Sequence, residues 1–296
     1  MPELTYQLVD VFTDAPFGGN QLAVFTTPGD LPGATMQLIA RELNLSETVF
    51  VLPPADARNH FRLRIFTPAS ELPFAGHPTI GTSYVLHTQG MIPAGAALRL
   101  EEGVGLIEVT LTAQANDQVL ATMRQPTPQF GAVVADRAQV SAALSLTVDD
   151  LLADVPVQVV SSGMPYLFIP IQTLDAMRRI RLRLDLYEAI VAAADVRGFY
   201  PFTLEVEQAG SNAHSRLFAP QMGISEDPAT GSAGGPLGAY LLRYGLVSAQ
   251  AARHLINEQG SEMKRPSLIH IHIDGDVVRV GGYTRRIGSG TLVVPD

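Results

Sequence analysis

The chain has 296 residues, of which 29 are acidic, 20 are basic and none is cysteine. The lack of cysteine excludes disulfides, thiolate zinc sites, iron–sulfur clusters and thiol nucleophiles, and the lack of any lysine or arginine run argues against a nucleic-acid or anionic-membrane partner. No stretch approaches the roughly 20 apolar residues that a membrane helix needs, and the start lacks a signal-peptide pattern, so we expect a cytoplasmic protein of two domains.

The first half of the chain is predicted to consist mainly of strands. Alternation of apolar and polar residues indicates strands, and a period near 3.6 indicates helices. The predicted strands are 7–12, 21–25, 48–52, 61–66, 97–101, 106–112 and 119–124, and the predicted helices are 35–43 and 78–89. Pro126 and Pro128 mark a linker to the second half.

The second half is predicted to begin with mixed helical and strand segments that run to about residue 171. Helices are predicted at 185–194 and 233–244. Strands are predicted at 203–207, 215–218, 268–273, 277–280 and 291–294.

Two loops of the chain repeat one another. Residues 71–82 align with 226–237, an offset of 155 positions, and the register holds without a gap through the helix that follows. Just upstream, 64–68 matches 216–220 at an offset of 152. We interpret this as a duplication. Two related halves imply a cleft between them, which is a common place for a small-molecule site.

The two repeated helices have almost no charged side chains, so each is predicted to be buried. Glycines such as Gly81 and Gly238 lower helix propensity by about 1 kcal/mol each, which indicates that neighbouring backbone or side chains pack very close. Both helices are followed by a glycine, Gly90 and Gly245, as a left-handed C-terminal cap requires.

The starts of these helices are candidate anion sites. Pro78 fits the first helical position, so we expect His77 to be the N-cap of one helix, and the alignment places Ser232 as the N-cap of the other. Free amide hydrogens and the helix dipole favour a carboxylate there. Two such starts facing one cleft would bind a small anionic molecule. The alternative is that both loops are only tight turns into core helices.

Five motifs, in the same order, resemble the phenazine-biosynthesis isomerase (PhzF-like) family, which belongs to the wider group of proteins folded like diaminopimelate epimerase. These motifs are 10–12 with 17–20, 43–50, 66–68 with 71–78, 226–233, and 259–260 with 265–267. The resemblance implies an α+β fold of two pseudo-symmetric domains, each a barrel-like sheet wrapped around a central apolar helix. It further implies an active site between the domains and a homodimer.

The domains implied are an N-terminal domain, 1–126, completed by a C-terminal strand within 283–296, and a C-terminal domain, 127–282. Carried onto matching positions, the family's catalytic residues are Glu47 as general acid/base with His77 and Asp227 assisting. Gly76, Gly231 and Ser232 would line the substrate pocket, with no metal and no cofactor.

The position of Glu47 alone does not indicate catalysis, because a carboxylate at a helix-to-strand turn is usually solvated. If the resemblance holds, Glu47 must lie in a dry cleft that raises its pKa, since an unperturbed carboxylate is a poor proton donor at neutral pH.

The chain departs from the wider group at two positions. Epimerases and racemases of this fold use two cysteines, and the matching residues here are Ala75 and Thr230. A two-thiol racemase is therefore excluded. The resemblance instead implies a 1,3 proton shift, with trans-2,3-dihydro-3-hydroxyanthranilate as the family's named substrate. Another cyclic or unsaturated amino acid, a non-catalytic binding protein, and a hydrolase with Ser232 as nucleophile stay open as alternatives.

Overall fold

The computed structural model describes residues 3–92, 95, 97–114 and 118–294. The chain forms two compact units. The first unit consists of the chain up to Arg124 together with the segment from Arg279 onwards, and the second unit is Gln125–Val278. Within the described residues strands outnumber helices, so the fold is mixed α/β with few helices. None of the helices among these residues is both long and apolar enough to cross a bilayer.

The elements follow one another along the chain in two stretches. The first stretch contains β1 (Glu3–Val11), β2 (Asn20–Phe25), α1 (Gly33–Leu43), β3 (Glu47–Leu52), β4 (Phe61–Phe66), β5 (Glu71–Leu72), α2 (Gly76–Thr88), β6 (Ala97–Glu102), β7 (Gly105–Ala113) and β8 (Val119–Gln125). The second contains β9 (Gln129–Val133), α3 (Arg137–Ala143), β10 (Gln158–Ser161), β11 (Pro165–Pro170), α4 (Leu174–Arg179), α5 (Leu184–Ala194), β12 (Phe199–Thr203), β13 (Ala213–Ser215), β14 (Leu217–Ala219), β15 (Ile224–Asp227), α6 (Gly231–Arg243), β16 (Leu255–Gln259), β17 (Ser267–Asp274), β18 (Val277–Gly282) and β19 (Thr284–Val293).

The sheet of the first unit combines antiparallel and parallel pairs. β1 pairs with β19 on one side and with β2 on the other, both antiparallel. β2 and β3 are parallel and are joined by α1, as a parallel connection requires. The sheet continues through β4, β6, β7 and β8. The apolar face of α1 packs on Phe25, Phe50 and Phe66; the rings of Phe25 and Phe50 stack, and Phe66 meets Phe50 edge-on.

The second unit has the same mixture of strand directions. β9, β10 and β11 are antiparallel neighbours, and β11 is parallel to β12. β12 then pairs with β13, β13 lies parallel to β16, and β16 pairs antiparallel with β17. A second apolar core lies between this sheet and the helices α3, α4 and α5, with Tyr187 and Phe199 in edge contact inside it.

The helices α2 and α6, both 13 residues long, are buried along most of their length, as predicted from their composition. A Cβ atom on Gly81 would lie 2.6 Å from Val11 Cγ2, and one on Gly238 would lie 2.8 Å from Ile271 Cγ2. The predicted close packing at these glycines is therefore confirmed.

The C-terminal ends of α2 and α6, which are called the two central helices below, are also built alike. Gly90 and Gly245 have φ values of 70° and 67°. The amide of the next residue reaches back five positions in each case, from Met91 to Leu86 O and from Leu246 to Leu241 O. Both ends are Schellman caps, which confirms the glycine assignment made from the sequence.

Two element predictions for the second half are wrong in extent. The predicted strand 203–207 is absent, because β12 ends at Thr203 and the backbone amides of Glu207 and Gln208 donate to the Glu258 carboxylate instead of to a neighbouring strand. The last strand is much longer than the predicted 291–294, since β19 pairs with β1 from Thr284 onwards.

Candidate active site

Both central helices begin earlier than predicted. The N-cap residues are Ala75 and Thr230, so His77 and Ser232 each stand at the second helical position. The backbone already turns helical at Gly76 and Gly231, and Pro78 at the third position loses no hydrogen bond because first-turn amides have no partner within the helix. The expected N-cap roles of His77 and Ser232 are therefore wrong.

The corrected helix starts still present free backbone donors. The side chains of the two N-cap residues make no capping hydrogen bond to the first turn of either helix. The first two amides of α2 belong to Gly76 and His77, and those of α6 belong to Gly231 and Ser232. Such amides, at the positive end of a helix dipole, attract a carboxylate.

In the first unit, β3 and α2 bring Glu47 and His77 together. Glu47 is the first residue of β3 and is 7% exposed, and His77 is 3% exposed. The distance between Glu47 Oε2 and His77 Nε2 is 3.3 Å. Two of the three residues expected to be catalytic thus form a buried pair, and Glu47 is not the solvated surface group that its position in the sequence alone would favour.

The contact with Asn20 bears on which nitrogen of the His77 ring carries the proton. Its side-chain nitrogen lies 3.1 Å from His77 Nδ1. An amide nitrogen can only donate, so with Asn20 in this orientation Nδ1 accepts and the proton of the neutral ring lies on Nε2. Burial lowers the pKa of His77 to about 3. The ring that lies beside Glu47 is therefore neutral rather than a cation.

Asp227, at the end of β15, is held in a tight loop of the second unit. It is 5% exposed, and its Oδ2 accepts a hydrogen bond from Thr230 Oγ1 at 2.6 Å. Gln259 braces the same loop, since its Nε2 donates to Asp227 O at 2.7 Å and to Thr230 Oγ1 at 3.0 Å, while its Oε1 accepts from Thr230 N at 3.2 Å. Thr230 is one of the two residues that the resemblance matches to the cysteines of racemases with this fold.

Sequence reasoning did not assign a role to Gln259, although the residue lies in one of the family motifs. Gln259 also accepts from the hydroxyl of Tyr200, which in turn is bonded by Ser215 and Asn257. Buried polar networks of this kind fix one arrangement of a loop when their members are satisfied. The residues concerned lie on three strands, which is why no local motif contains them together.

The hydroxyl of Ser232 contacts a residue that the sequence did not indicate. Ser232 Oγ lies 2.9 Å from the hydroxyl of Tyr166 on β11, and both side chains are buried. Tyr166 stands in a run of apolar residues and carries no motif, so no sequence signal could have found it.

The described residues contain no group of three or more histidine, aspartate or glutamate side chains placed to hold a metal ion. The groups available for chemistry are therefore a carboxylate beside a neutral imidazole in one unit, and a carboxylate bonded to a threonine hydroxyl in the other. These are acid/base and hydrogen-bonding groups.

A comparison with protein-family models matches residues 9–291 to the PhzC-PhzF family, described as phenazine biosynthesis-like proteins. The chain belongs to this family. A family relative from Pseudomonas fluorescens, named trans-2,3-dihydro-3-hydroxyanthranilate isomerase, is 35% identical over 98% of this chain and 99% of its own. The protein is an isomerase of the PhzC-PhzF family, as the resemblance implied.

Solved structures support the same family and fold. A phenazine biosynthesis protein of the PhzF family from Bacillus anthracis is 26% identical, with a TM-score of 0.89 over 99% of this chain and 100% of the other. A hydroxyproline epimerase from Agrobacterium vitis is only 13% identical but has a TM-score of 0.67 over 99% of this chain and 93% of its own. The second likeness shows that the PhzC-PhzF family shares its fold with proline-type epimerases.

Proposed function

We propose that the protein is a cofactor-independent isomerase that moves a proton between two carbons of a small carboxylate substrate, with Glu47 as general acid/base. The observation that supports this best is the buried contact between Glu47 and His77 beside the uncapped start of α2. A carboxylate removed from water next to a neutral donor can be held in one orientation while it exchanges a proton.

The proposed step is balanced within the substrate. The Glu47 carboxylate takes a proton from one carbon, and the electron pair left behind shifts a double bond by one position. The protonated Glu47 then returns the proton to a carbon two positions away. We assign to His77, whose Nε2 lies 3.3 Å from Glu47 Oε2, the role of orienting that carboxylate, and to Asp227, held by Thr230, the role of polarising the substrate.

The substrate is proposed to be trans-2,3-dihydro-3-hydroxyanthranilate, which the Pseudomonas fluorescens relative is named for, or a similar cyclic or unsaturated amino acid. Its carboxylate would bind the backbone amides of Gly76, Gly231 and Ser232. Those amides are at helix starts without a side-chain cap. Such amides can bind an anion even where no lysine or arginine side chain takes part.

We also propose that the two units are pseudo-symmetric domains of the diaminopimelate epimerase type, working as a homodimer in the cytoplasm. The matching features are the buried 13-residue helices α2 and α6, their Schellman ends, and the arginine–glutamate pair that precedes each of them.

The test is solvent deuterium incorporation into trans-2,3-dihydro-3-hydroxyanthranilate, followed by NMR or mass spectrometry. We expect the wild type to place deuterium at carbon and Glu47→Gln to be slower by a factor of about 10² to 10⁴, the usual effect of general acid/base catalysis. Glu42→Gln, on the exposed face of α1, is the matched control and should exchange at the wild-type rate.

Each other outcome identifies a different failure. Undiminished exchange in Glu47→Gln would remove Glu47 from the mechanism. Binding of a panel of cyclic amino acids without exchange in the wild type would instead favour a non-catalytic binding protein. Labelling of Ser232 by an acylating or phosphonylating probe would favour a hydrolase, which we do not expect because the Ser232 hydroxyl contacts a tyrosine hydroxyl rather than a histidine.

A further inference from the structure

Glu102 is a buried acid that the proposed mechanism does not use. It is the last residue of β6, is 8% exposed, and lies against the first turn of α2. Thr79 Oγ1 is 2.6 Å from Glu102 Oε1 and 2.7 Å from the carbonyl oxygen of Ala75, the N-cap of α2. Glu102 is thus connected to the start of α2 by two consecutive short contacts.

The geometry of Thr79 favours a proton on Glu102. A threonine hydroxyl has a single hydrogen, so it can donate to only one of the two oxygens. If Thr79 donates to the Ala75 carbonyl, the contact with Glu102 Oε1 needs its proton from Glu102. If Glu102 Oε1 and the Ala75 carbonyl oxygen were both only acceptors, one of them would lie less than 2.8 Å from Thr79 Oγ1 with no hydrogen between the two oxygens.

The surroundings of Glu102 also disfavour a charge. Its Oε2 is buried and has no hydrogen-bond partner in the part of the chain that the structure describes. Burial raises the pKa of Glu102 to about 8, against the opposing effect of hydrogen bonds from Thr79 and the Ala75 backbone. A neutral carboxyl group at physiological pH is consistent with both observations.

The turn that follows Glu102 packs directly on the repeated loop. A Cβ atom on Gly103 would lie 2.7 Å from Pro73 Cα, and the amide of Val104 donates to Pro73 O at 3.1 Å. The end of β6 and the loop that leads into α2 therefore form one rigid piece. A charge that appears on Glu102 has no room to move away from the helix start.

We infer that Glu102 is a positioning residue that carries a proton, and that this proton keeps the start of α2 attractive to the carboxylate of an anionic substrate. This inference rests on the proposed function, in which the start of α2 binds the substrate carboxylate. Loss of the proton would place a negative charge two contacts from the Ala75 carbonyl, where it would oppose the positive end of the helix and repel a bound carboxylate. It would also break the proton chain through Thr79.

Other titratable groups on the surrounding elements do not account for such an effect. On α2 these are His77, whose pKa of about 3 keeps it neutral, and Tyr84 and His87, which lie further along the helix. The neighbouring strands β4 and β7 carry Arg62, Arg64 and Glu108. None of these charged groups contributes to the shifted pKa of Glu102.

The first experiment reads the proton directly and needs no catalysis. Infrared difference spectra of the whole protein, taken two pH units below and two above about 8, should show the carbonyl band of a buried carboxylic acid at the lower pH only. Glu102→Gln should remove that band. Thr79→Val should keep but shift it, because the acid loses its hydrogen-bond partner, and this variant decides the assignment if Glu102→Gln does not fold.

The second experiment measures binding of 3-hydroxyanthranilate, a stable aromatic carboxylate, by calorimetry over the same pH range. We expect the wild-type Kd to rise by about fivefold as the pH passes about 8, and the Kd of Glu102→Gln to stay level. Glu108→Gln, an exposed carboxylate on β7, should behave like the wild type. With a substrate that turns over, the change should appear in KM and not in kcat.

The results separate this inference from the proposed function. A purely structural Glu102 would change stability but leave the pH dependence of Kd the same in wild type and Glu102→Gln, which would overturn the inference. Absence of an acid carbonyl band in the wild type would overturn it as well. A wild type that binds the probe with the expected pH dependence but exchanges no deuterium would support the inference and contradict the proposed catalysis.

Discussion

Oε2 of Glu47 lies 3.3 Å from Nε2 of His77, and both side chains are almost completely removed from water. Asn20 donates to the other ring nitrogen, so the neutral ring presents its proton to Glu47. A buried imidazole without a charge costs far less desolvation free energy than an imidazolium would. The pair therefore places a carboxyl group in close contact with a neutral ring.

His77 should stay neutral across the physiological range. Since burial lowers its pKa to about 3, nitrogen-15 NMR of the imidazole should show one tautomer, protonated at Nε2, from about pH 5 to about pH 8. The pH profile of kcat/KM should therefore show no ionisation that belongs to the His77 ring. A ring that titrates near the ordinary histidine value would contradict the assignment. Asn20→Ala, which removes the donor to Nδ1, should produce a mixture of tautomers.

The glycines of the central helices should not tolerate a methyl group. In Gly81→Ala the new Cβ would meet Val11 Cγ2 at 2.6 Å and Leu22 Cδ2 at 2.7 Å. We expect a lower free energy of unfolding, by about 1–3 kcal/mol from overpacking, partly offset by about 1 kcal/mol of helix propensity. Urea unfolding measures the difference. Gly288→Ala is the control, because a Cβ there meets no atom within 4 Å, and equal effects at the two positions would refute the packing argument.

The duplicated arginine–glutamate pair offers a matched comparison. Arg64 binds Glu71 through two hydrogen bonds of 2.7 Å, and Arg216 binds Glu226 through two of 2.7 and 2.9 Å. The Arg64 side chain is 28% exposed, whereas that of Arg216 is 6% exposed and also donates to Met177 O.

Because of this difference in burial, the same substitution should have unequal effects in the two units. We expect Arg216→Gln to lower the free energy of unfolding by about 3 kcal/mol, since it leaves the partly buried Glu226 carboxylate and the carbonyl oxygen of Met177 without their partner. Arg64→Gln should cost at most about 1 kcal/mol and should depend on salt concentration. Chemical denaturation of both variants checks this, and equal losses would count against burial as the cause.

His214 should make stability depend on pH. Its two ring nitrogens contact Glu258 Oε1 at 2.9 Å and Glu262 Oε1 at 3.0 Å. Burial favours the neutral ring, but the hydrogen bonds to the two carboxylates prevail and raise the pKa of His214 to about 9. The imidazolium is therefore the form that stabilises the fold.

The sign follows from the raised pKa. The contribution of His214 should be complete below its ordinary value of 6.5 and should be lost as the pH rises through about 9. The free energies of unfolding of wild type and His214→Gln, measured with urea, should differ most near pH 6.5 and should converge above about pH 9. The difference near pH 6.5 should exceed the difference above pH 9 by on the order of 1–3 kcal/mol. Glu102 also reduces stability as the pH rises, so the difference between the two proteins is the quantity to follow. A constant difference would show that the ring charge is irrelevant.

The sequence predicted a good part of the fold because the relevant signals are local. The limits of β4 agree with the expected strand 61–66, and the α2 and α6 helices were expected to be buried from their lack of charge. The sequence alignment matched Arg64 with Arg216 and Glu71 with Glu226 but did not predict any contact between them. In the structure both arginine–glutamate pairs are formed. The starts of α2 and α6 were each placed two residues late, because proline and serine are good early helix residues at more than one position.

The sequence by itself determined the two repeated loops, the burial of the helices α2 and α6, their glycine ends and the isomerase family, because periodicity, composition and contiguous motifs carry that information. Only the tertiary structure decided that Glu47 meets a neutral His77, that Gln259 braces the Asp227 loop, and that Glu102 shares a proton with Thr79. Each of these contacts joins residues more than 20 positions apart on different elements. Their protonation depends on how completely packing removes water, which no stretch of sequence specifies.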